Sequence, residues 1–377
     1  MPRQIILTSQ LETPIFAAPS LPSYYASSRQ ISRKRQTAQI SIPKAKQLKE
    51  LGEIPEPLTK THDGQTFLFY DSGISASRML IFATAPTLDL LVDSEIWHCD
   101  GTFSVSPDVF YQVYTIHGMV ENTLVPLVYA LLPNKTQATY EELFSKFDKI
   151  GEKVNLDFEL APRNAVKKLS PGTKIRFCFF HLSQAVWRHV QRDGFPKLYV
   201  ENENFRTSVK KLLCLAFVPI HDVIAGFEIL RKENFDESYQ KICDYFEETY
   251  IGAWRGYRRT DPKFHLEEWN LYERVLAGEA RTNNAIEGWN SNFNKFVQNK
   301  YPTLPKLIQK FREEQKNAEM NVERILAGEK VKRTNNKAAA ANQKLLDIVE
   351  NYEKQKISFT ILKKLFILLI HLKLFHL

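Results

Sequence analysis

Three carboxylates, Asp100, Asp157 and Glu287, and one Cys-x-x-His pair, Cys178 and His181, are the residues whose types and spacing admit chemistry. Asp100 stands in WHCDGTF (97–103), where an apolar approach, SEIWHCD, ends on a lone acid and the chain then turns polar. A buried aspartate is costly unless it is paired or bound to a cation. Taken alone, Asp100–Gly101 reads as a hairpin turn, because Asp-Gly is the strongest short hairpin signal. Asp157 in NLDFE and Glu287 in RTNNAIEGWNSNF read singly as a turn, a cap or a surface charge. Brought together, two aspartates and a glutamate cannot all stay ionised without a counter-charge. Mg²⁺ or Mn²⁺ would supply it, since hard cations prefer carboxylate oxygens and keep positions open for water and phosphate. Two such ions about 3.5–4 Å apart can activate a nucleophile and stabilise a leaving 3′ oxygen in phosphoryl transfer.

The elements that must position these acids follow from residue patterning. SEIWHCDGTF, VFYQVYTIHGM and TLVPLVYALLP are rich in β-branched and aromatic residues and read as three strands. Gly118 and the pair Glu121–Asn122 mark a tight connection between the last two. In TYEELFSKFDKIG, Tyr140, Leu143, Phe144 and Phe147 share one helical face. KVNLDFE (153–159) reads as a strand, ELAPRNAVKKL as a helix interrupted early by Pro162, and TKIRFCFF as a strand. The order predicts an α/β fold, a mixed sheet flanked by helices. In a 3-2-1-4-5 strand order Asp100 and Asp157 end neighbouring strands. From HLSQAVWRHVQ (181–191) to about residue 280 the pattern is nearly all helical, an insertion. RTNNAIEGWNSNFNKFVQ then starts a new helix, capped by an Asn, with Glu287 in its first or second turn.

Charge is uneven. The net of +8 divides into 8 Lys/Arg against 2 Asp/Glu in residues 1–50 and 16 against 8 in residues 300–377, around an acidic centre. Basic ends suit a polyanion, or are simply solvated. Residues 1–53, with Pro14, Pro19, Pro22 and the run RQISRKRQ (29–36), read as a flexible basic arm, and RKR as a nuclear address or a phosphate contact. Cys99, Cys178, Cys214 and Cys243 form no CxxC pair and suggest a reducing compartment. Residues 313–377 read as a helical tail. Its end, ISFTILKKLFILLIHLKLFHL, is broken by lysines and is no membrane span, but either a packing helix or an accidental extension.

The segment 96–147 resembles the core of the MULE (Mutator-like element) transposase domain, in WHCDGTF, FYQVYTIHG, PLVYALLPNKT and TYEELF. The resemblance continues through LDFELAPRNAVKK, IRFCFFHLSQAVWRHVQ, LAFVP and RTNNAIEGWNSNF, over roughly residues 64–312. It implies an RNase H-like DDE catalytic core, with residues 54–181 as its first part, 182–280 as a helical insertion and 281–312 as the final helix. It further implies Asp100, Asp157 and Glu287 as the three acids, a Mg²⁺ or Mn²⁺ two-ion site, and Cys178 and His181 as the family's C-x-x-H element. Two ligands at that spacing lack the other two of a structural zinc site, so packing and local hydrogen bonding are the expected role of that pair. Trp187 reads as core, and Arg188 and Arg192 as a solvated helix face.

The implied function is metal-dependent cleavage and strand transfer in DNA transposition, in the nucleus, with DNA as partner, a homo-oligomer as a compatible state and no membrane. The alternative is a domesticated or defective transposase-derived factor that binds DNA or protein without cutting. Family members often carry a zinc-binding module such as FLYWCH or SWIM, and no Cys/His spacing for one occurs here. If the basic ends contact phosphates, affinity for DNA falls steeply with salt, and binding isotherms across salt should give the full chain a larger slope than residues 51–299. Equal slopes would make the ends solvated bystanders.

Overall fold

The computed structural model describes residues 2–11, 22–30, 42–43, 45–121, 123–235, 239–279, 281, 284–329 and 336–354. The last apolar stretch, 357–377, most of the RQISRKRQ run and the expected Asn cap at 283 lie outside these. Seven strands form one mixed sheet: β1 Leu68–Asp71, β2 Leu80–Phe82, β3 Ile96–Thr102, β4 Gln112–Val120, β5 Thr123–Leu132, β6 Lys153–Leu156 and β7 Lys174–Phe177. Their order is β1-β2-β5-β4-β3-β6-β7, so the five expected strands lie 3-2-1-4-5, with β1 and β2 added beyond β5. β4 is antiparallel to both of its neighbours, β3 and β5, while β6 runs parallel to β3, and β7 to β6.

Alternation along the strands sends side chains to two apolar layers. Trp97, Cys99, Val154, Leu156, Ile175 and Phe177 face one layer, which continues into the helices between 179 and 276. Leu80, Phe82, Val113, Tyr129 and Leu131 face the other. That second layer is covered by the helices Asn284–Val297 and Leu304–Leu326, through Phe293, Val297, Leu304, Leu307, Ile308 and Phe311.

Several sequence expectations need correction. Asp100–Gly101 is no hairpin turn: both lie inside β3, with Gly101 paired to Tyr114. A Cβ on Gly101 would meet Gln112 Oε1 at 2.4 Å, so glycine is there for close packing. Gly118 likewise lies within β4, and the turn belongs to Glu121, whose φ is +52°. Pro162 does not interrupt its helix. It lies in the first turn of Leu160–Leu169, where backbone N–H groups have no intrahelical partner to lose. The N-terminal segment is not wholly a free arm. Pro2–Leu11 is helical, and Leu48 and Leu51 are buried beneath the sheet. Arg78 fixes them by donating to the carbonyl oxygens of Leu51 (2.6 Å) and Gly52 (2.8 Å).

Of the expected helical tail 313–377, the described residues up to 354 are largely helical and pack on the rest of the protein. The helix Leu304–Leu326 crosses residue 312 unbroken. Leu345, Val349 and Tyr352 of Asn336–Lys354 are buried too, and Tyr352 donates to Asp222 Oδ2 at 3.0 Å. A piece ending at 299 would therefore expose the second layer, and flank cations are better tested by substitution than by deletion. Phe311 is fully buried, stacked on Tyr129 at 4.9 Å and against Phe82 and Phe293. Phe311→Ala should cost about 3–5 kcal/mol of stability. Urea denaturation should show the midpoint falling with the slope unchanged.

Candidate acidic site at the strand ends

Register explains why two acids distant in sequence meet. β3 and β6 pair Ile96 with Lys153, Trp97 with Val154 and His98 with Asn155. Continued by two residues, this register sets Asp100 beside Asp157, on the same face as His98 and Asn155. The earlier pair is in contact, with Asn155 Nδ2 3.1 Å from His98 Nε2. β6 and β7 pair Leu156 with Phe177, so the next step sets Asp157 beside Cys178. Cys178 N donates to Leu156 O at 3.2 Å. Asp100, Asp157 and Cys178 thus form a row at the carboxyl ends of three parallel strands, the edge where open α/β sheets bind ligands.

The row faces the layer covered by the helix Asn284–Val297. Ile286, Phe293 and Val297 of that helix are buried, and Trp289 packs on the second layer. Glu287, Asn290 and Asn294, at helical spacing i, i+3 and i+7, form the adjoining stripe. Trp289 Nε1 donates to Glu314 Oε1 at 2.8 Å, fastening this helix to Leu304–Leu326. At its start, Arg281 O accepts from Phe179 N at 3.1 Å, so the returning chain is pinned beside Cys178.

Asp100 is 8% exposed. Its Oδ1 accepts from Gly101 N at 2.8 Å and its Oδ2 from Asn290 Nδ2, a contact between the first-acid strand and the third-acid helix. Burial, and then the facing carboxylate of Asp157, push Asp100 up to about 8. His181 Nδ1 lies 2.8 Å from Asp157 Oδ1. The two atoms are close but lack the alignment of a hydrogen bond, so the contact is an ion pair. Burial alone would depress this imidazole, but contact with Asp157 and Cys178 raises it to about 11. Glu287 is raised by burial, helped by Asp157 and opposed by His181.

The structure brings the expected site residues together in a way the sequence did not show. Among the described residues one set of three donors lies within 4.8 Å of one another, and it is Cys178, His181 and Glu287. Asp100, Asp157 and Glu287 do not converge to that degree. Charged His181 is the local counter-charge, beside Asp157 and near Glu287. The buried carboxylate atoms Asp157 Oδ1 and Glu287 Oε1 have no hydrogen-bond donor. A crowded set of carboxylates, with Asp100 and Glu287 raised in proton affinity and with undonated oxygens on Asp157 and Glu287, fits a divalent cation. Sequence reasoning missed Asn290, for which the signal was its i+3 spacing from Glu287. Trp187 packs against the core with Tyr199, and Arg188 and Arg192 bond locally to Gln184 and Asp193.

The class defined by this arrangement is a mixed α/β protein with a buried acidic row at its strand ends, closed by a helix carrying a further acid. Residues 96–185 match the family model of the MULE transposase domain, a span holding Asp100, Asp157, Cys178 and His181. The match covers about a quarter of the chain, and that segment is similar to a MULE transposase domain, which suggests a transposase-related function. No curated protein gives a significant match to the chain.

The proton on Asp100 has a sign that can be tested without metal. With its folded pKa raised from about 3.9 to about 8, the native state holds a proton that the unfolded chain releases. That stabilisation is present below about pH 4 and is lost as pH rises through 8. In chelator, wild-type stability relative to Asp100→Asn should therefore fall between pH 5 and pH 8. A constant difference in urea melts would mean that Asp100 titrates normally.

Proposed function

We propose that this chain is a MULE-type transposase with an RNase H-like catalytic core. The core comprises residues 54–181 and returns from residue 281, and residues 182–280 form a helical insertion between the second and third acids. Its reaction is cleavage of DNA at element ends, followed by joining of the freed 3′ hydroxyl to target DNA, in the nucleus where that substrate lies. The carrying observation is the shared β3–β6 register that sets Asp100 beside Asp157, within the span matched to the family and against the Glu287 helix.

Asp100, Asp157 and Glu287 would hold Mg²⁺ or Mn²⁺. When bound, such ions activate the attacking hydroxyl and stabilise the leaving 3′ oxygen. The rest is positioning by the chain itself, as phosphoryl transfer requires. Rigid strand ends fix Asp100 and Asp157, and Gly101 N–H and Asn290 orient the Asp100 carboxylate. His181 holds Asp157 in the cation-free protein. Among the described residues no helix is long and apolar enough to cross a membrane.

Asp100→Asn, Asp157→Asn and Glu287→Gln keep shape while removing charge, and each should abolish Mn²⁺-dependent cleavage of DNA bearing the element's ends. Thermal melts test the site without that substrate. Wild type should gain about 2.7 kcal/mol at an ion concentration of 100 Kd, and each variant less. If all four proteins respond alike to Mn²⁺, these acids hold no ion, and a non-catalytic DNA- or protein-binding factor is the better reading.

A further inference from the structure

The stretch AWRGYRRTDPK (253–263) contains four cations and one carboxylate, in a central region that is otherwise net acidic. It folds as a two-stranded finger, not as a continuation of the preceding helix. Gly252 (φ +92°) ends the helical turn Glu247–Ile251, and a Cβ there would strike Thr260 O at 2.0 Å. Trp254 pairs with Arg259, and Thr260 N donates to Ala253 O at 2.9 Å. Arg255 N donates to Arg258 O at 2.9 Å across a two-residue loop, Gly256–Tyr257. Gly256, at φ +87°, occupies the first central position, where a type II′ turn demands glycine.

The finger's base is rigid and its tip is unsatisfied. Arg259 is held by Glu247, Glu228 and the Gly252 carbonyl. Tyr250 and Phe264, at the two ends of the finger, both pack on Phe158, the residue after Asp157, at 5.7 and 5.0 Å. Beyond that anchor Trp254 is 54% exposed and Tyr257 78%. Arg255 and Arg258 are exposed, and neither has a carboxylate partner among the described residues. The Arg258 guanidinium lies 5.7 Å from the Tyr257 ring centroid. Tyr257 is five residues from Gly252, so the tip lies within about 18 Å of the base.

We infer that this finger binds unpaired nucleotides of the DNA substrate, Trp254 and Tyr257 stacking on bases and Arg255 and Arg258 neutralising the adjoining phosphates. Exposed aromatic rings interleaved with arginines match the chemistry of single-strand binding, where every base offers a π-face and the backbone offers charge. The anchor on Phe158, itself stacked on Phe177 in the first apolar layer, fixes the base of the finger one residue along the chain from Asp157. The inference rests on the DNA-processing reading above and names a surface with which the chain would grip its substrate.

The test uses the full chain and a fluorescein-labelled 20-nucleotide oligo-dT, with a duplex of equal length, by anisotropy at several salt concentrations. Trp254→Ala and Tyr257→Ala should each weaken single-strand binding about tenfold and duplex binding far less. Trp254→Phe, which keeps a stacking ring, should retain most of the affinity. Arg255→Gln with Arg258→Gln should lower the salt slope by about 1.4. All four finger variants should keep the wild-type Mn²⁺ response in thermal melts, whereas Asp100→Asn should lose that response and keep single-strand affinity. The finger and the acidic row can therefore fail separately. Unchanged single-strand affinity in the alanine and glutamine variants would overturn the inference. So would loss of wild-type self-association in Trp254→Ala with oligonucleotide binding intact, which would make the finger a contact between protein chains.

Discussion

Two carboxylates held side by side at the ends of adjacent parallel strands repel each other, and much of the surrounding structure answers that repulsion. The strands cannot separate, because the ladder between β3 and β6 fixes them and the layer beneath is packed with Trp97, Val154 and Leu156. Asp100 relieves the strain by gaining proton affinity and accepting from Gly101 and Asn290. Asp157 relieves it by taking the imidazolium of His181. A rigid scaffold that confines like charges stores free energy, which is released when a cation arrives. Here the store sits at the sheet's carboxyl edge, with the helix Asn284–Val297 laid across it.

That helix does two jobs with two stripes. Trp289, Phe293 and Val297 fill the second apolar layer, while Glu287, Asn290 and Asn294 run alongside. Its packing partner Leu304–Leu326 is joined to it through Trp289 and Glu314 and by the stacking of Phe293 on Phe311. The position of the third acid is therefore set by aromatic packing on the far side of the sheet from most of the helices. Burial of Phe311 fixes where Glu287 can reach.

Much of the sheet was legible in the sequence because each strand announces itself locally. The run SEIWHCD is apolar enough to be a strand, and the order of elements placed its end next to NLDFE. Asp-Gly misled because the dipeptide signal is blind to what lies across the sheet, where the end of the Gln112 side chain packs against Gly101. Pro162 misled for a similar reason, since its effect depends on which turn of the helix receives it. The meeting of Glu287 with Cys178 and His181 joins residues more than a hundred positions apart and has no local signature. Nor was the Trp254 finger legible, because the aromatic periodicity of the preceding helix runs into it and only Gly252 marks the break.

The bond between Trp289 and Glu314 bears on what a shortened chain would lose. A chain interrupted after Val297 but before Leu304 would still hold all three carboxylates and the entire span matched to the family. It would nonetheless lack the wall that holds the third acid in place, and with it a face of the apolar core. For this architecture, the stretch FREEQKNAEM, residues 311–320, which holds both Phe311 and Glu314, matters to the placing of Glu287 as much as the strands matter to Asp100 and Asp157.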